Sequence, residues 1–349
     1  MREVAQPLLS WQPKPAPQDV SGLHISYRYL GLTPRPHDPG VILVEANIHF
    51  DKPMRLEGAH LFGSHHAAQP GEGDHYAINI PGLTVAGMGA AEPYDAGGKA
   101  APGSYAMLFP SMWGSTGVMA LDEGYSLSIH AKTGGGRVTM ELDGMPREMK
   151  AGEDLPYRYV LMQGRARELP NTAEWDRFAQ TMGFRGDPAY QVTDVKAGTV
   201  KGTKFLLELV PAEGAFVGTV SGADLPIRLP VRLAGMNPNH TFGWFDLDRK
   251  EWYPSAVDRK TQQGYFTLDT RLGNTRFFAG HPLLCSDPEV RMAVFSDAKS
   301  KVEAELNNVT DQAVTVTVRL NPALGEAPPQ EVTLAPGELK RAAFAWTPG

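Results

Sequence analysis

The chain has little of several features that would narrow its class. It contains one cysteine, Cys285, among 349 residues, so no disulfide can form within it. No run of about 18 apolar residues occurs, and a helix needs that length to cross a bilayer. The first 18 residues are polar and proline-rich, without the apolar centre of roughly 7–15 residues found in signal peptides. These absences exclude a disulfide scaffold and predict no membrane insertion.

Basic charge is also scarce. The chain has 33 Lys and Arg against 39 Asp and Glu, a formal net charge of −6. Proteins that bind nucleic acid concentrate Lys and Arg on one surface, and no segment here does so. We therefore expect no nucleic-acid partner. For the location we expect a secreted or periplasmic protein whose signal segment is not in the given sequence. A cytoplasmic protein and a piece of a longer chain with other domains remain alternatives.

What the chain does have is turn residues spread along its whole length, with 37 Gly and 29 Pro. Between them lie short segments of alternating polarity, such as the one that places Tyr125, Leu127 and Ile129 on one face. A period of two residues is typical of half-buried strands. The sequence therefore predicts a mostly β protein built around a large antiparallel β-sandwich or supersandwich.

One helix interrupts this pattern near residues 172–182. Asn171 and Glu174 form a start that resembles a capping box, apolar residues follow at helical spacing, and Gly183 ends the segment. After position 286, five short strands recur at regular spacing, a pattern typical of a small immunoglobulin-like sandwich. The predicted parts are an extended segment at 1–20, a first β-sandwich region at 21–170, a helix with a second β region at 171–285, and an immunoglobulin-like sandwich at 286–349.

Two groups of segments carry a resemblance to known modules. Residues 307–311 and 334–338, with the Val/Thr strand between them, resemble immunoglobulin-like modules of bacterial extracellular enzymes. Residues 152–159 and 229–237 resemble the galactose-mutarotase-like supersandwich domains of polysaccharide-processing proteins. The resemblance implies carbohydrate handling outside a bacterial cytoplasm. No catalytic motif of such proteins can be matched to residues of this chain.

The densest group of titratable residues is a run of histidines near the start of the first sandwich region. His60, His65, His66 and His75 lie within 16 residues, and Tyr76 follows. Histidine titrates near neutral pH and is a common metal ligand. If the protein is an enzyme, His65, His66, His75 and Tyr76 are its candidate catalytic residues, because a His/Tyr pair can move the proton next to a uronate carboxylate. The spacing matches no standard zinc motif. A solvated loop between strands is the structural alternative.

Residues 237–254 form a second candidate site. Flat aromatic rings and planar polar side chains, the two requirements of sugar recognition, occur together there in a stretch that reads as a loop. The alternative is that the tryptophans pack in a core. The candidate carbohydrate-binding residues are Asn239, His240, Trp244, Asp246, Trp252 and Tyr253.

These observations leave three functions open. The first is a carbohydrate-contacting β-sandwich within an extracellular bacterial polysaccharide-processing protein, with a polysaccharide or oligosaccharide as partner. The second is a polysaccharide lyase or glycoside hydrolase with its site on the large sandwich. The third is a purely structural or interaction module. We expect no cofactor and no bound metal in any of them.

Overall fold

The computed structural model describes residues 21–32, 40–66, 75–88, 94–109, 116–132, 135–163, 172–204, 206–221, 228–270, 274–297 and 301–346. The predicted extended segment at 1–20 lies outside these residues. The chain forms two compact units, Met1–Ala179 and Gln180–Gly349. The finer predicted division at residues 170 and 285 stays a prediction.

The first unit is made of short strands and a helix that begins in this unit and ends just past its last residue, Ala179. Its elements are β1 (Leu23–Leu32), β2 (Gly40–Phe50), β3 (Met54–Leu56), β4 (His60–His66), β5 (His75–Ile80), β6 (Leu83–Met88), β7 (Tyr94–Lys99), β8 (Tyr105–Phe109), β9 (Thr116–Ala120), β10 (Tyr125–Lys132), β11 (Gly135–Leu142), β12 (Arg147–Met149), β13 (Asp154–Gln163) and α1 (Thr172–Thr181).

Two antiparallel sheets pack face to face in this unit. The larger has the strand order β1-β2-β13-β9-β8-β5-β6, and the smaller has the order β4-β11-β10-β7. Their shared core contains Phe50 and Ile78 from the larger sheet with Leu127 and Val138 from the smaller one. Burying one apolar face of each sheet against the other is what stabilises a sandwich. Strand β1 is an edge strand of the larger sheet, so it has a neighbouring strand, β2, on one side only.

The second unit contains a larger number of strands and a 3-10 turn at Pro322–Leu324. Its strands are β14 (Gln191–Ala197), β15 (Thr199–Gly202), β16 (Leu207–Val210), β17 (Ala215–Ser221), β18 (Arg228–Leu233), β19 (Phe242–Asp246), β20 (Glu251–Asp258), β21 (Gln263–Asp269), β22 (Thr275–Gly280), β23 (Leu283–Cys285), β24 (Arg291–Ser296), β25 (Lys301–Asn307), β26 (Val314–Leu320), β27 (Gln330–Leu334) and β28 (Leu339–Ala345).

These strands form a nine-stranded sheet, β14-β17-β22-β19-β20-β21-β18-β16-β15, and two three-stranded sheets, β23-β26-β27 and β24-β25-β28. One core joins them: Phe245 and Phe278 of the large sheet pack in the same cluster as Val318 of one small sheet and Phe344 of the other. Trp346 contacts Phe245 with 4.8 Å between ring centroids. The immunoglobulin-like segment of about 60 residues has a small core by itself. The core that it shares with the large sheet increases the apolar surface that it buries.

The fold agrees with the sequence on its main points. The mostly β architecture with antiparallel sheets is confirmed, although β16 and β18 pair in parallel. The helix predicted near 172–182 is present as α1, and the strands predicted after 286 are present as β24 to β28. Within the described ranges, no helix is long and apolar enough to cross a membrane.

Candidate functional site

Four tyrosines on the inner face of β1 and β13 include the two most exposed aromatic side chains among the described residues of the first unit. The register aligns Tyr27 and Tyr157 with Ala46 of the intervening strand β2. Tyr29 and Tyr159 are aligned in the same way with Val44, so all four rings share one face. We call Tyr27, Tyr29, Tyr157 and Tyr159 the tyrosine shelf.

The shelf has a buried half and an exposed half. Tyr157 and Tyr159 are nearly fully buried, whereas Tyr27 is 37% and Tyr29 60% exposed. The Tyr27 and Tyr29 rings are nearly parallel, with an interplanar angle of 12° and 5.9 Å between centroids. The exposed half exists because β1 is the edge strand and the smaller sheet does not cover it completely. An aromatic face in water is a surface that gains free energy when a ligand covers it.

The hydroxyl groups of Tyr29, Tyr157 and Tyr159 stay neutral. The Tyr157 hydroxyl donates a hydrogen bond to the Tyr27 hydroxyl at 3.3 Å. Burial raises the pKa of both Tyr157 and Tyr159 well above the ordinary value of 10, with the neighbouring tyrosines adding to the effect. Burial also raises the pKa of Tyr29. The shelf therefore offers apolar ring faces and uncharged hydroxyls.

The candidate catalytic histidines lie on strands, not in a loop. His65 and His66 belong to β4, where they pair with Arg137 and Gly136 of β11. Gly63 and Ser64 weaken the strand pattern of His60–His66, so this segment resembles a loop in the sequence. Cross-strand pairing with β11 overrides that local preference. The side chains of His65, His66 and His75 lie outside the described set.

The backbones of these candidates divide between two sheets. His75 and Tyr76 are in β5 of the larger sheet, while β4 belongs to the smaller one. The Tyr76 ring is buried and stacks on Tyr94 with 4.5 Å between centroids. Burial raises the pKa of Tyr76. Tyr76 thus contributes to the core of the sandwich, and the catalytic assignment stays a prediction.

The candidate carbohydrate-binding aromatics of the second unit lie on a β-hairpin, where the sequence indicated a loop. Strands β19 and β20 pair directly, with Trp244 opposite Tyr253. Asp246 is buried and makes the turn: its Oδ1 accepts hydrogen bonds from the backbone N–H groups of Asp248 and Arg249. Such an Asx-type turn replaces the glycine that usually identifies a hairpin in a sequence, which explains the missed strands.

Only part of the hairpin faces solvent. Trp244 is 5% exposed and lies between Tyr253 and Phe266, with 4.4 Å and 6.0 Å between ring centroids. Trp252 is half-buried against Phe245. Tyr253, at 36% exposed, is the most accessible of the three candidate aromatics. Burial and a hydrogen bond to Glu251 raise the pKa of Tyr253 to about 12.

His240 is buried and Asn239 half-buried in a polar cluster rather than on the aromatic surface. The Asn239 side chain donates to the Pro288 carbonyl at 3.1 Å. The rings of His240 and His281 meet edge to face with 5.7 Å between centroids, and both are buried. Burial lowers the pKa of His240, and it lowers the pKa of His281 to about 4. The six predicted residues are thus used in three ways: an aromatic stack, a turn and a buried histidine cluster.

The tyrosine shelf was not among the predicted sites. The signal was present, because Tyr27 and Tyr29 are two residues apart in a segment of strand character. The alternation places them on one face but leaves open whether another sheet covers that face. Their exposure depends on β1 being an edge strand, and strand order is a property of the tertiary fold.

Fold and site together define a β protein of antiparallel sandwich-type sheets with an exposed aromatic surface on its first unit. No model of a known protein family matches the chain, and a search of curated proteins finds no significant match.

Proposed function

We propose that this protein binds carbohydrate on the exposed half of the tyrosine shelf, as part of an extracellular bacterial polysaccharide-processing protein. The observation that carries the proposal is the exposed, nearly parallel pair Tyr27 and Tyr29. A sugar ring has an apolar C–H face that packs on an aromatic ring and hydroxyls around its rim that need uncharged hydrogen-bond partners. The Tyr27 and Tyr29 rings supply the apolar faces, and burial raises the pKa of Tyr29, whose hydroxyl is an uncharged hydrogen-bond partner.

The hairpin of the second unit supports a weaker version of the same function. Tyr253 also presents part of a ring to solvent, but Trp244 is covered by it and Trp252 packs against Phe245. A sugar at this place would contact a single exposed ring. The shelf offers two rings, and burying more apolar area gives a larger gain in free energy.

We expect Tyr29→Ala to weaken glycan binding at least about tenfold, the loss of a binding contact worth roughly 1.4 kcal/mol. Tyr29→Phe keeps the ring and should retain most of the affinity. The measurement is a glycan array on the full chain, followed by titration calorimetry with the best ligand. Product analysis on the same panel would detect cleavage, the result expected of a lyase or hydrolase.

The matched control is Tyr253→Ala in the second unit, which removes an exposed tyrosine ring from the hairpin. It should leave glycan affinity unchanged. If Tyr253→Ala abolishes binding and Tyr29→Ala does not, the site is on the hairpin. If the wild-type chain binds none of the glycans, the proposal is wrong.

A further inference from the structure

Strand β1 is the longest edge strand that the structure describes. It has 10 residues, Leu23–Leu32, and all of them pair with β2 in an unbroken register. In the described part of the larger sheet, β2 is its single neighbouring strand. An edge of this length presents a row of backbone N–H and C=O groups, which is a template for pairing with another strand.

The other edge strands of the large sheets are shorter or irregular. Strand β6, at the opposite edge of the same sheet, has 6 residues, and β7 has 6 with two adjacent glycines. The pairings of β4 and β14 contain register shifts. Short strands and bulges prevent edge-to-edge pairing, as do proline and lysine. Strand β1 has neither of these residues and no bulge.

The backbone groups at the open edge belong to alternate residues of β1. The Asp51 N–H donates to the Gly22 carbonyl oxygen at 2.8 Å. This bond sets the phase of the antiparallel ladder, so Gly22 and every second residue after it bond to β2. The N–H and C=O groups of Ile25, Tyr27 and Tyr29 therefore point away from β2, toward the open edge.

The two basic side chains of β1 each have a carboxylate beside them. Arg28 Nη1 lies 3.2 Å from Glu45 Oε2, and His24 Nε2 lies 2.6 Å from Asp51 Oδ2. Charged side chains on an edge strand usually repel a second strand, and these carboxylates reduce that repulsion. The Tyr29 ring, 60% exposed, adds apolar surface beside the edge.

We propose that β1 pairs antiparallel with β1 of a second copy of this chain, so that the two larger sheets form one continuous sheet. Two copies related by a twofold axis present the same strand to each other in opposite directions, as antiparallel pairing requires. Adding a strand to an open sheet edge is a recurring mode of protein association. The backbone donors and acceptors of one edge then meet those of the other.

The side chains select a register centred on Tyr27. The ladder requires that residues facing the open edge meet each other, so near the middle of the strand the axis passes beside Ser26, Tyr27 or Arg28. An axis at Arg28 places it opposite Arg28 of the partner subunit, and an axis at Ser26 places it opposite the partner's His24. Directly opposed like charges destabilise a sheet. An axis at Tyr27 places Arg28 opposite the partner's Ser26 and the two Tyr27 rings side by side.

The first test is the oligomeric state of the full chain, measured by sedimentation velocity at a series of micromolar concentrations. We expect a monomer–dimer equilibrium. Ser26→Arg places an arginine opposite Arg28 of the partner subunit at two symmetric positions, and should raise the dimer dissociation constant about fivefold. Ser26→Asp places a carboxylate there and should lower it. The matched control is Thr84→Arg, at an exposed position of β6, which should leave the constant unchanged.

Disulfide cross-linking tests the register, in a Cys285→Ser background that removes the single native cysteine. Tyr27→Cys should form a covalent dimer on oxidation, because the two Cα atoms at position 27 are about 5.5 Å apart across the axis, within reach of a disulfide. Tyr29→Cys should not, although Tyr29 is more exposed than Tyr27. Its two copies would be about 14 Å apart along the strands.

Two results would overturn the proposal. One is a full chain that stays monomeric at every concentration, as it would if another segment of the same chain lay along β1. The other is a dimer that neither Ser26→Arg nor Ser26→Asp changes, since its interface would lie elsewhere. Circular dichroism of each variant verifies that it is folded. Ser26 lies on the face opposite to the tyrosine shelf, so Ser26→Arg should bind glycan with wild-type affinity, which separates this test from that of carbohydrate binding.

Discussion

Replacing Gly280 with alanine will lower the free energy of unfolding by at least about 4 kcal/mol. A loss of this magnitude is typical of severe steric or core defects. Gly280 lies at the end of β22, between β17 and β19, with φ at 147°. A Cβ added there would overlap the Gly214 carbonyl oxygen and lie 2.8 Å from Ala215 Cα. Both contacts are with backbone atoms at the start of β17, so no side-chain rotation relieves them.

The matched control is Gly235→Ala, because Gly235 also has a positive φ, 69°, but a Cβ there meets nothing within 4 Å. It should cost only about 1–2 kcal/mol, the intrinsic penalty for a left-handed conformation. The measurement is urea unfolding of both variants and wild type. Equal costs for the two variants would show that the close approach of β17 at Gly280 does not constrain the fold.

Acidification will destabilise the protein through His281, by about 3 kcal/mol between pH 6.5 and pH 4. Burial lowers the pKa of His281 from 6.5 to about 4 in the folded state. The unfolded chain therefore takes up a proton in this window and the folded chain does not. The contribution of His281 to stability is fully present above pH 6.5 and is lost as the pH falls toward 4.

The contacts of His281 explain why it resists protonation. Its Nε2 accepts the backbone N–H of Asn237 at 3.0 Å, while its Nδ1 lies 3.0 Å from the Thr241 carbonyl oxygen. Nδ1–H is thus the donor, and a proton added to Nε2 would face another donor. The neighbouring His240 also has a pKa lowered by burial, and it contributes to the pH dependence in the same direction.

His281→Asn isolates this contribution. Asparagine does not titrate, and its amide can still donate toward the Thr241 carbonyl. We expect the variant to be less stable at pH 7.5 but to lose less stability on acidification than wild type. The free energy of unfolding is measured for both proteins by urea titration at pH 7.5 and at pH 4.5. The loss of stability between the two pH values is then compared between the variant and wild type. An equal loss in both proteins would contradict the assignment.

The parts of the fold that the sequence predicts well are those that local pattern determines. The sequence around α1 offers a cap residue, an apolar stripe and a glycine stop within about a dozen residues. The strands after 286 alternate clearly between regular turns. Strands β19 and β20 were missed because a buried aspartate, Asp246, makes their turn by side-chain hydrogen bonds to Asp248 and Arg249. No glycine occupies this turn to identify it.

By itself, the sequence determined the mostly β class, the helix and the alternation that places Tyr27 and Tyr29 on one face and His24 on the other. Only the tertiary structure decided which of these faces is open. Exposure of the tyrosine shelf depends on β1 being an edge strand, and the hydrogen bond between Tyr157 and Tyr27 depends on β1 and β13 both being neighbours of β2. The physical reason is that alternation is fixed by the backbone of one strand, whereas strand order is fixed by contacts between residues more than a hundred positions apart.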